Sequence, residues 1–177
     1  MGLQVTVQPS SEPVTVSELK AQLRIPTAYT NDDTELGSLI TDARQMVELY
    51  LRRQLMPATF VLTMDRFPWS SVTDPINQIS PRYDNANYYF GTPEIFAIYI
   101  PRPPLASVTS VVYVDQNGNT QTMDPATYIV DTNNEPGRIT PKYGFFWPPT
   151  VIQPNVITIT YTAGWADAGT VPGPIKR

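Results

Sequence analysis

The sequence contains no histidine and no cysteine. Those two absences exclude more chemistry than any motif present. There is no Ser-His-Asp or Cys-His nucleophile, no thiolate, and no imidazole to bind zinc or haem or to titrate near neutral pH. No disulfide staples the fold, which fits synthesis in a reducing cytoplasm. Charge is also scarce: Asp, Glu, Lys and Arg make up 16% of the residues, against about 25% in ordinary domains. The formal net charge of −4 argues against a protein whose main work is gripping phosphate backbones, which needs clustered Lys and Arg. No stretch approaches the roughly 20 apolar residues of a membrane span, and the opening Met1–Pro13 lacks the basic-then-apolar pattern of a signal peptide.

What the chain has in excess is proline, 19 in 177 residues, about twice the usual ~5%. It is therefore rich in loops. With 41% hydrophobic and 11% aromatic residues it is too apolar to stay disordered, and its length suits one structural domain.

Thr15-Val16-Ser17-Glu18 reads as a capping box that opens a short helix, with Val16, Leu19 and Leu23 on one face and Pro26 as the stop. Asn31-Asp32-Asp33-Thr34-Glu35 places cap-type side chains and negative charge at the start of a second helix. In it Leu36, Leu39, Ile40, Ala43, Val47, Tyr50 and Leu51 recur at intervals of three and four, which predicts an apolar stripe packed inside the subunit. The opposite face, expected in solvent, carries Asp42, Arg44, Glu48, Arg52 and Arg53, with Glu48 and Arg52 spaced to pair, and Pro57 closes the helix.

Beyond Pro57 the period falls to two. Strands are expected over 59–67, 95–100, 108–114, 128–130 and 156–162, with Asn117-Gly118 as a hairpin turn. The organisation predicted is a helical part over 1–57, a β-rich part over 58–165 and a C-terminal segment over 166–177, within one domain. The β-rich part includes a long loop at 70–94 that has no period. That loop displays Tyr83, Tyr88, Tyr89 and Phe90, residues suited to anchoring an interface.

The one metal-like string, Asp115 to Asn119, has its glycine fourth instead of sixth and Ala126 where an EF-hand needs its bidentate acid, so it reads as a turn. Asp32 and Asp33 are adjacent on a helix, do not face each other, and are explained by capping. No phosphate-binding glycine loop or nucleophile elbow is present. No catalytic residue, cofactor or metal site is expected.

The order of features is itself recognisable. Glu12 to Lys20, Leu23-Arg24-Ile25, then Asp32-Asp33 leading into Leu39-Ile40 and Ala43-Arg44, resembles the N-terminal helices of tailed-phage head-tail connector proteins. Leu62 to Pro68, Ile100 to Leu105, Ser107 to Tyr113 and Tyr161-Thr162-Ala163-Gly164-Trp165 are similar to blocks of the gp6-like and gp8-like branch of that family. The resemblance implies an α+β fold, a helical pair on a connector-type scaffold with an antiparallel β-sheet elaboration. It implies a non-enzymatic adaptor of the virion neck, made in the host cytoplasm. Such a subunit forms a ring, usually a dodecamer, docked on the portal protein and offering a platform to the next neck or tail-completion protein. DNA passes through its channel without sequence-specific binding, and no membrane is involved. Family members begin another helix that helps bind the portal where this chain stops at Pro172 to Arg177, so either the protein ends early or its docking surface is built differently, and Ile175, Lys176 and Arg177 are candidate intersubunit or partner contacts. The alternative is another virion or tail-tip binding module with a glycan-binding loop.

Overall fold

The computed structural model of the chain describes residues 1–68 and 96–176. The loop expected at 70–94, with Tyr83, Tyr88, Tyr89 and Phe90, lies outside the described residues, as does Arg177. In chain order the elements are β1 (Gly2–Val7), α1 (Val16–Leu23), α2 (Asp33–Leu51), β2 (Ala58–Met64), β3 (Ile98–Tyr99), β4 (Leu105–Val114), β5 (Thr120–Thr122), β6 (Tyr128–Asp131), β7 (Arg138–Pro141) and β8 (Ile157–Ala163). The fold is α+β, a helical pair joined to antiparallel sheets.

Alternation in the sequence explains the two central strands. Ala58, Phe60 and Leu62 of β2 are buried while Thr59, Val61 and Thr63 are half-buried, and β8 repeats the pattern with Ile157, Ile159, Tyr161 and Ala163 inward. The two strands pair antiparallel from Ala58 opposite Ala163 to Met64 opposite Ile157. Phe60 lies directly across from Tyr161, and their rings stack at 5.4 Å. Around this pair the five-stranded sheet runs β1-β2-β8-β4-β5, and a three-stranded sheet runs β3-β7-β6. Ile98, Tyr128 and Ile139 of the smaller sheet join Leu62, Val111 and Ile159 of the larger in one apolar core. Each fully buried side chain of this size contributes about 1.5–3 kcal/mol.

The turn at Asp115 is the hairpin the sequence predicts. The Asp115 carboxylate accepts from the amides of Asn117 and Asn119, both at 2.9 Å, and Gly118 sits at φ +82°. The amide of Asn119 leads the causes that hold this carboxyl below its ordinary pKa, so its oxygens serve the turn itself. Among the described residues, no group of three acidic, His or Cys side chains gathers as a metal ion would require.

Three expectations are corrected, and one strand appears where none was expected. Residues 2–7, ahead of the helices, form a strand, because Leu3 and Val5 align with Leu62 and Phe60 on an open sheet edge. Helix α2 ends at Leu51, well before Pro57, because Arg52 adopts a left-handed cap at φ +52° that turns the chain. Leu23 of α1 is exposed, while Lys20 is buried and becomes the anchor of that helix. The apolar stripe of α2 does not pack as one face: Leu36 and Ile40 are buried, whereas Leu39, Ala43, Tyr50 and Leu51 are exposed.

Candidate assembly surfaces

The helical pair is held by charge. Thr15 and Glu18 complete a reciprocal cap at the start of α1, the Glu18 carboxylate accepting from the Thr15 amide at 2.7 Å and the Thr15 hydroxyl accepting from the Glu18 amide at 3.1 Å. Buried Lys20 donates to the Tyr29 carbonyl at 2.6 Å and pairs with Asp33 at the start of α2. On α2 the inward face runs Leu36, Ile40, Arg44, Glu48, one residue per turn. Arg44 and Glu48 belong to the face that the sequence places in solvent, and their partners explain the reversal. Arg44 donates from Nε to Glu12 at 2.7 Å and from Nη1 to Glu48 at 2.9 Å. The second Glu48 oxygen accepts from Gln54 Nε2 at 2.8 Å and from the Leu55 amide at 3.0 Å. Among the described residues Glu48 therefore pairs with Arg44, and not with Arg52. Arg102 donates to the Glu48 carbonyl at 2.8 Å, and the Gln54 amide donates to the Pro103 carbonyl at 3.0 Å. A buried polar joint thus fastens the end of α2 to the sheets.

Turning that face inward leaves a different one outside. Leu39 is 53% exposed, Met46 74%, Leu49 69% and Tyr50 86%. A second apolar surface stands on the 142–152 loop, where Tyr143 is 100% exposed, Phe146 71% and Ile152 86%. This loop is rooted, because Trp147 is buried, stacks on Phe67 at 4.8 Å and donates from Nε1 to the Phe96 carbonyl at 2.7 Å. The Lys142 amide donates to the Thr127 carbonyl at 2.9 Å, and the Val151 amide to the Val114 carbonyl at 3.3 Å, so both limbs are tied. A monomer seldom displays so many large apolar groups together, and such patches mark contact with other proteins.

The sequence reading missed both surfaces. For α2 the periodicity was legible but not which face turns inward, since that is decided by Glu12, Gln54 and Leu55, remote from the helix itself. For the loop the signal was Tyr143, Phe145 and Phe146 crowded between Pro141 and Pro148, where no strand could bury them. Of the expected contact residues at the C-terminus, Ile175 and Lys176 are half-buried in and after a single 3-10 turn over Gly173–Ile175. Lys176 lies near enough to Glu18 to add to the lowering of its pKa.

Comparison with known proteins fits this architecture. Residues 13–86 match the family model of the phage gp6-like head-tail connector protein. No curated protein matches the chain. The fold is shared with a chain in the neck of an empty gene transfer agent (GTA) particle computed with C6 symmetry, at TM-score 0.70 and 20% identity, covering 97% of this chain and 76% of that one. A chain in the virion of the native gene transfer agent gives TM-score 0.67 at 18% identity, with 97% and 76% covered. One in the neck of the native GTA particle computed with C12 symmetry gives 0.60 at 17%, with 97% and 75% covered. With the helical pair and strand β2 inside the matched residues, and with an α+β fold over the described residues, this chain is similar over residues 13–86 to the gp6-like head-tail connector proteins and shares its fold with chains of gene transfer agent particles.

Proposed function

We propose that the protein is a structural subunit of a virion neck, one copy in a ring between capsid and tail, and that it works by assembly and not by catalysis. The agreement of fold over 97% of the chain with a chain of a GTA neck is the observation that carries this reading, and the family match over residues 13–86 supports it independently. The composition suits the role. A ring subunit needs no imidazole or thiol, and a mildly acidic protein lets DNA pass without adhering.

The finer points of the reading are a ring of about twelve copies, as the family resemblance implies, a portal-facing contact that includes Ile175 and Lys176, and a far side that receives the next neck or tail-completion protein. Light scattering and electron microscopy of the purified protein, with and without its portal, test it. Ring-sized mass, or recruitment to the portal as a ring, is the expected result. A chain that remains monomeric and ignores the portal would overturn the reading.

A further inference from the structure

A ring of identical subunits joins head to tail, so each subunit must carry two different surfaces that fit each other. The two apolar surfaces described above meet that requirement, and the strands separate them. The joint of α2 sits at the Ala58/Ala163 end of the β2–β8 pair, where the Gln54 amide reaches Pro103. The 142–152 loop is rooted at the other end, where Met64 pairs with Ile157 and Phe67 stacks on Trp147. Six residue steps at about 3.4 Å put roughly 20 Å of strand between the two ends. Neither surface is placed to cover the other within one subunit.

We propose that Tyr143, Phe146 and Ile152 of one subunit seat on the outward face of α2, at Leu39, Met46 and Leu49, of the next copy in the ring. This inference rests on the connector reading and names its subunit contact. Three features of the two surfaces support a second copy as the occupant. First, charge is complementary: Asp42 is exposed among Leu39, Met46 and Leu49, three and four residues from its neighbours and so on their face, while exposed Lys142 adjoins Tyr143. Second, the area is appropriate. At about 150–250 Å² per fully buried ring, the exposed fractions of Tyr143, Phe145 and Phe146 together with Ile152 offer on the order of 500 Å², more than half of the ~800 Å² each side of a standard interface. Third, the loop is tied at both limbs and by Trp147, so its aromatics lose little freedom on docking.

The native chain has no cysteine, so introduced cysteines report only on each other. Chains carrying Phe146→Cys mixed with chains carrying Leu49→Cys should give a disulfide-linked heterodimer on mild oxidation, in protein assembled alone or on the portal. Tyr143→Ser with Phe146→Ser should weaken self-association by about 30-fold or more, the loss typical of hot-spot aromatics, with circular dichroism unchanged. Asp42→Lys should weaken it too, and adding Lys142→Asp should restore much of it. Wild-type assembly in all these variants, without the cross-link, overturns this contact and leaves the connector reading standing. A wild-type chain that is monomeric both alone and with the portal overturns both.

Discussion

Arg44 occupies a position that a helical wheel assigns to solvent, yet it is buried and held between Glu12 and Glu48. Removing one member of such a buried network leaves the others charged and unpaired, which costs more than the pairing contributes. Arg44→Ala should therefore destabilise the protein by about 3–5 kcal/mol, read by urea denaturation, whereas Arg52→Ala at the exposed end of the helix should change little. A small loss at Arg44 would mean that water reaches the joint. The same helix buries Ile40, where truncation to alanine should cost about 2–5 kcal/mol as a large-to-small core change. Glu18 supplies a pH-dependent counterpart. Its carboxyl is held below the usual carboxylate range, first by the Thr15 amide and then by the Thr15 hydroxyl, with desolvation opposing and Lys176 assisting. A group with a depressed folded pKa contributes its stability above the unfolded value and loses it as pH falls through the folded one. Helix α1 should thus fray on acidification, with Glu18 amide shifts in an NMR titration tracking the transition, and Glu18→Gln should flatten that response.

At the scale of elements, what the sequence revealed depended on whether an element's partner was encoded nearby. The cap of α1, the hairpin at Asn117-Gly118 and the alternation of β2 and β8 are local patterns, and all are present as read. Strands β1 and β7 were not foreseen. Each is short, and each exists because a neighbour offers an edge: β2 for Gly2–Val7, and both β3 and β6 for Arg138–Pro141. The facing of α2 was misread for the same reason, since charged side chains on one face outcompeted apolar ones through partners many residues away. The site was less legible than the fold, because an exposed apolar surface has the same letters as a core. One sequence block gains a physical reason. Gly164, just after β8, sits at φ +116°, its amide donates to the Pro104 carbonyl at 2.9 Å, and a Cβ there would come within 2.5 Å of the Met56 carbonyl oxygen. Gly164→Ala should destabilise the fold by well over ~1 kcal/mol, through backbone strain and the displaced crossing. A melting temperature equal to wild type would show that the crossing can yield.

At the scale of the whole molecule, the larger sheet formed by the described residues has two unequal ends. β5 closes one with three residues, while β1 leaves six at the other, where Leu3, Val5 and Val7 are exposed and no lysine, glutamate or proline interrupts the run. Natural sheets usually blunt such an edge with charge or proline, because its open amides and carbonyls template pairing with any extended chain. The consequence is one of timing. A newly made chain carries a reactive edge until something covers it, so irreversible clumping competes with its folding, and the loss should grow steeply with expression level. Val5→Lys, which places a charge on that edge opposite Phe60, should raise the yield of free soluble subunit at high expression while leaving the melting temperature nearly unchanged. Equal losses for variant and wild type would show that the edge is already guarded.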